Sequence, residues 1–420
     1  MTLLPLLFLG LLVFQLDRMN LASALTAGFA TDIGINQATI NFGNQVLTFG
    51  LIATLQCQVK NRTGFLLVRS FLGLAESGYI PGSIYTLSTW YTQKERARRV
   101  AIFFFGMFGG NAIGPLLASG LIKLDGKGGL KGWQWIFLLE GLFTILVSLL
   151  ILLFLPGSPE HPSPLLSKGL VHISPSEGQI LQQRIAAETP CAAYRPQHLR
   201  ISPSTVLKTM SNWRRWPHFL ATSLVFSTWS PLTTYTPTII MKLGFSRVEA
   251  NALASVGALL ALLVVFVFAA VSDKTGRRGG VVAAAIGCYL VTLIVLRTTE
   301  EHVGKWSQWG LWTAVNAFAV GYHPAHNTWL QLNCHGPEER SIGIALWVMS
   351  ANIGMMYGTQ YFQAADQPLY HTGLTTMLGV AGGGAVLVLL QEAIYWGWNR
   401  HACHARLGAG REIPDRMYVL

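Results

Sequence analysis

"NALASVGALLALLVVFVFAAVSD", residues 251–273, holds no charged side chain until its last residue, Asp273. A helix of about 20 residues is roughly 30 Å long, the thickness of a bilayer's hydrocarbon core. The stretch has almost no polar stripe to turn toward water, so a surface helix does not fit it. "LVSLLILLFLP" (146–156) is a second solid apolar run. The 420 residues are 51% hydrophobic and 12% charged, where a soluble domain carries about a quarter charged residues. A transmembrane β-barrel would alternate apolar and polar residues, and these runs do not. The sequence therefore predicts an all-α polytopic membrane protein.

Spans are expected near 2–28, 41–58, 64–88, 100–121, 133–155, 213–240, 249–271, 279–296, 308–331, 341–363 and 373–397, about 11 transmembrane helices in all. The opening residues lack a basic n-region and a small-x-small cleavage site, so they read as the first span, not a signal peptide. The spans form an N-terminal helical bundle over 1–155, incomplete for a reason given below, and a C-terminal six-helix bundle over 213–400. Between them lies a Pro/Ser-rich cytosolic linker, 156–212, long and irregular enough to act as a flexible joint. A basic cytosolic tail, 401–420, follows. One set of loops, with "KERARR" (94–99), the linker, "DKTGRR" (273–278), Arg340 and the tail, carries 19 Lys and Arg against nine in the opposite set. That side is expected to face the cytosol. The net charge of +11 follows from this placement and does not point to nucleic acid.

Ionisable groups inside a bilayer cost several kcal/mol and usually have a partner or a job. Asp17 and Arg18 fall mid-span. Arg69 and Glu76, in "FLLVRSFLGLAESGYIPG", are two helical turns apart and share a face. Arginines suit an anionic substrate through paired hydrogen bonds, and a carboxyl group in an apolar cavity suits proton carriage. The structural alternative is an Asp17–arginine pair that only packs, with Arg69 snorkelling to the interface. Glu140 and Glu392 read as structural or interfacial.

Scattered cysteines suggest neither a disulfide framework nor a zinc site. His323 and His326 in "GYHPAHNTW" have metal-like spacing, but helix packing or pore lining accounts for them, and no metal or other cofactor is expected. The glycine-rich stretches at 105–120 and 379–390 lie in apolar spans and read as close helix contacts, not phosphate loops. Pro81 and Pro115 are expected to bend their helices. No nucleophile–base pair is visible, so an enzyme is not expected.

The motifs "LDRMNLASA", "RSFLGLAESGYIPGSIYTLSTWY", "GWQWIFLLEG", "SDKTGRR" and "GYHPAHNTWLQLNCHGPEERSIGIALWV" together resemble the major facilitator superfamily. Within it they are similar to the fungal anion:cation symporters of the allantoate, nicotinate and pantothenate permease type. The resemblance implies a two-bundle fold and proton-coupled symport of a small organic anion by a monomer in the plasma membrane. It implies proton-coupling roles for Asp17 and Glu76, and substrate-binding roles for Arg18, Arg69 and Asn327. Asp273, Lys274, Gly276, Arg277 and Arg278 would form a gating or structural loop. It also implies twelve helices. "NFGNQVLTFGLIATLQCQVK" (41–60) looks like the start of a second helix joined to the end of a third, with around thirty residues, including a basic loop, gone between them. A single crossing there would put "KERARR" on the wrong side, so impaired transport is expected. A non-transporting sensor, an inactive paralogue and a metabolite exporter are the alternatives.

Overall fold

The computed structural model describes residues 3–26, 61–68, 79–91, 93–156, 175–187, 202–334, 336–409 and 417–419. Among these residues there is helix and no strand. In the first half the labelled helices are α1 (Leu3–Thr26), α2 (Tyr79–Trp90), α3 (Gln93–Leu121) and α4 (Gly132–Phe154), with a further short helix over 62–68. Then come α5 (Pro175–Ala187) and α6 (Pro203–Met210). The second half holds α7 (Trp216–Ser227), α8 (Trp229–Lys242), α9 (Arg247–Thr275), α10 (Arg278–Thr299), α11 (Lys305–Phe318), α12 (His323–Leu332), α13 (Gly336–Gly358) and α14 (His371–Ala409). Six helices among the described residues are long and apolar enough to cross a membrane, over 102–124, 132–151, 247–275, 278–302, 338–358 and 371–401. The stretch 41–60 lies outside the described residues.

Two expected spans are each split. The 213–240 span becomes α7 and α8, broken at Thr228, and the 308–331 span becomes α11 and α12, broken across Ala319–Tyr322. Proline explains both breaks. Pro231 has no N–H for the Ser227 carbonyl four residues back, and Pro324 has none for that of Val320. The linker differs from expectation in the other direction, because it is not wholly irregular: α5 and α6 lie within it. The sequence repeats Ser-Pro-Ser at 174–176 and 202–204. Pro175 and Pro203 stand at the first turn of their helices, where a missing N–H costs nothing. The Ser202 hydroxyl accepts from the Ser204 amide to cap α6.

The chain divides into two compact units, one of residues 1–198 with 240–258, the other of 199–239 with 259–420. In the first unit α1 packs on α3 and α4. Gly106 and Gly110 on α3 meet the carbonyls of Phe8 and Leu12 on α1. A Cβ added there would lie 2.6 and 2.9 Å from those oxygens. In the second unit α7 packs on α13 and α14. Gly354 and Gly358 on α13 meet the carbonyls of Ser223 and Ser227 on α7 in the same fashion. Small residues one turn apart let membrane helices approach this closely.

The outward faces are apolar. Leu142, Leu146 and Leu149 on α4, Leu263, Phe266 and Val267 on α9, and Val386, Leu389 and Leu390 on α14 are exposed. Exposed apolar surface on this scale suits lipid.

Candidate functional site

The apolar helix α1 runs unbroken through Asp17 and Arg18. Just before them Gln15 is buried, and its Nε2 donates to Asn111 Oδ1 on α3 at 2.7 Å. Arg69 and Glu76 lie outside the described residues. The matched glycine crossings put the two units in register. Five and six residues past Leu12 are Asp17 and Arg18; five and six past Ser227 are Leu232 and Thr233. The charge pair of α1 therefore has no charged counterpart on the α7–α8 segment.

The second unit instead holds a buried neutral network. Thr222 Oγ1 donates to the His218 carbonyl at 2.8 Å. That uses its one proton, so at 3.3 Å it accepts from His326 Nδ1. His326 Nε2 is then the acceptor for His218 Nδ1–H at 2.9 Å. His218 Nε2 in turn accepts from the Tyr395 hydroxyl at 3.2 Å. One tautomer of each imidazole satisfies every bond, with both rings neutral. His218, Thr222, His326 and Tyr395 are fully buried. Helices α7, α12 and α14 each contribute to the set, and Trp329 meets the His218 ring edge-on at 4.5 Å.

A second polar row follows α7 along the α13 crossing. Ser223 pairs with the Tyr357 hydroxyl at 3.1 Å and Ser227 with that of Tyr361 at 2.8 Å. Tyr289 on α10 donates to Thr228 at 2.9 Å, where α7 breaks. His323 stacks between Phe226 and Trp347, with ring centroids 4.3 Å away on each side. The two histidines of "GYHPAHNTW" thus have different roles, one stacked and one bonded to His218. Among the described residues no group of His, Cys, Asp and Glu is placed to hold a metal ion.

Asn327, on α12, is half-buried, and its Oδ1 accepts from Gln331 Nε2 at 3.0 Å. In the 273–278 loop Arg278 donates to Asp273 at 2.8 Å and to Ser272 at 3.2 Å. Gly276 takes a φ of +67°, the left-handed turn that ends α9. Lys274 and Arg277 complete the loop. Asn61, which begins the "NRT" triplet, accepts from the Gly64 amide at 2.7 Å and heads the helix over 62–68. The sequence reading missed His218, Thr222 and Tyr395. A polar ring in the apolar run "WPHFLATSLVFS" was the available signal.

The profile of the Major Facilitator Superfamily matches residues 19–359. An uncharacterized transporter of Schizosaccharomyces pombe is 28% identical over 98% of this chain and 84% of its own length. That alignment spans 444 positions, more than this chain has residues. A putative tartrate transporter of Agrobacterium vitis is 28% identical over 68% of this chain and 65% of its own length. Among solved structures, the proton:xylose symporter XylE from E. coli superposes with a TM-score of 0.62 at 13% identity, over 94% of each chain.

Proposed function

The chain belongs to the Major Facilitator Superfamily, and we propose that this multi-pass membrane transporter couples entry of a small organic anion to entry of protons. The observation that carries the reading is the Asp17–Arg18 pair inside α1, a helix with no other charged residue. Such a pair costs too much to keep as decoration. Arg18, with Arg69, holds the anion's carboxylate; Asp17, with Glu76, takes the proton. Asn327 is a further substrate-binding residue, and the loop of Asp273, Lys274, Gly276, Arg277 and Arg278 has a gating or structural part. The naming of one relative as a tartrate transporter supports a carboxylate substrate. The superposition on a proton symporter fits proton coupling. The protein works as a monomer in the plasma membrane, and its subtype is the allantoate, nicotinate and pantothenate permease type.

Transport by this chain is impaired. We take the missing segment to lie between residues 41 and 60; the alignment longer than the chain fits residues missing here, wherever along the chain they fall. The same gap favours a second reading, a non-transporting member that binds an anion as a sensor or binds nothing. The test uses purified chain in proteoliposomes with an inward proton gradient and a labelled panel of carboxylates that includes tartrate. Binding without accumulation is expected, weakened about tenfold or more in Arg18→Gln. Proton-driven accumulation would overturn the impairment. Binding that ignores Arg18→Gln would overturn the anion site, and no binding at all would favour the inactive reading.

A further inference from the structure

The end of α12 and the C-terminal part of α14 present two asparagines. Asn333, just past α12, and Asn399, within α14, each make a two-way pair with main chain. Asn399 Nδ2 donates to the Tyr418 carbonyl at 2.8 Å, and Asn399 Oδ1 accepts from the Tyr418 amide at 2.8 Å. Asn333 Oδ1 accepts from the Val419 amide at 2.7 Å, and its Nδ2 donates to the Val419 carbonyl at 3.1 Å. Trp329 Nε1 donates to that carbonyl at 2.7 Å. A carboxamide offers a donor and an acceptor side by side, as a peptide group does. Successive residues of an extended strand turn their N–H and C=O to opposite sides. Tyr418 therefore faces α14 with its main chain while Val419 faces α12.

Further contacts are aromatic. The Tyr418 ring lies on Tyr395 with centroids 4.3 Å apart and planes within 8°. Trp398 meets it edge-on at 6.4 Å. The surroundings are built for the purpose. Arg215, almost fully buried, donates to the Asn333 carbonyl at 3.0 Å and pairs with Glu339 at 2.5 Å. Asn333 Nδ2 also donates to the Trp329 carbonyl at 3.0 Å. Asn333 is thus fixed from two sides before Val419 reaches it. Arg214 stacks over Trp398 at 3.9 Å beside the groove.

We propose that Asn333, Asn399, Trp329 and Tyr395 form a peptide-binding groove, and that its ligand is this chain's own 417–419 segment, which clasps α12 to α14. Recognition runs through main chain, with one aromatic slot for Tyr418. Any motion that parts the ends of α12 and α14 must first strip this segment from one of its two asparagines.

Hydrogen–deuterium exchange on the purified full chain tests this, read on the peptide that carries residues 417–420. The Tyr418 and Val419 amides are expected to exchange about 100-fold more slowly than in a free peptide. Asn399→Leu and Asn333→Leu should each remove most of that protection. Val419→Ala should keep it, because the hydrogen bonds at 419 use main-chain atoms. Tyr418→Ala should speed exchange at Val419 about tenfold by losing the stack. Free-peptide exchange in the unaltered chain overturns the proposal, as does protection that survives the loss of both asparagines. Should an asparagine variant unfold, Tyr418→Ala decides alone. It leaves every groove residue in place, and unchanged exchange in it overturns the proposal.

Discussion

Where α1 crosses α3, Gly106 and Gly110 sit against the carbonyls of Phe8 and Leu12; where α7 crosses α13, Gly354 and Gly358 sit against those of Ser223 and Ser227. The backbone plan is one plan used twice. The side chains around it differ. The first crossing has one buried amide pair, Gln15 with Asn111, and then the charges of Asp17 and Arg18. The second has two serine–tyrosine pairs and a histidine network, and then Leu232 and Thr233. Steric demands set by main-chain proximity recur, while the polar chemistry is free to diverge. The close glycine contacts recur in both units, whereas a charge pair follows the crossing in one.

The comparison breaks first at the glycines. A Cβ on Gly358 runs into the Ser227 carbonyl, and one on Gly106 into that of Phe8. Gly358→Leu and Gly106→Leu should each cost about 3 kcal/mol or more and abolish monodisperse protein on size-exclusion chromatography. If one unit tolerates its leucine, the two crossings are not equivalent. A smaller effect separates the polar interiors. His218→Phe keeps a ring but leaves the Tyr395 hydroxyl and His326 Nε2 without their partner, at a cost of about 2–4 kcal/mol. Gln15→Leu removes a single bond from Asn111, at about 1–2 kcal/mol. Thermal unfolding in detergent should rank them in that order, and the reverse order would show that the histidine network is not the tighter of the two. The smallest change is expected at the loop. Asp273 is largely exposed, so Asp273→Asn should move stability by about 0.5 kcal/mol or less despite the 2.8 Å pair with Arg278.

Much of the architecture was legible because apolar runs have a physical length. The 251–273 run and the 146–156 run fall in α9 and α4. The splits at Thr228 and at Ala319–Tyr322 were harder to read. Hydropathy averages over Pro231 and Pro324, and the break depends on which helical hydrogen bond each proline removes. The Ser-Pro-Ser starts of α5 and α6 were readable but were outweighed by the polarity of the linker. At the candidate site, charge was conspicuous and neutrality was not. Asp17 and Arg18 stand out in an apolar helix. His218, Thr222 and Tyr395 become a set only when three helices bring residues 104 to 177 positions apart to hydrogen-bonding distance.

The pairs at Tyr418 and Val419 have a consequence for how this molecule can drift. Asn333 and Asn399 grip atoms that every amino acid except proline provides. The gripped stretch can therefore change its letters while keeping its place, provided that an aromatic ring stands at 418. The lasting imprint of the contact is in the two gripping amides, far from the stretch they hold. A comparison of that stretch alone would score it as filler, although it holds a joint that no motif announces.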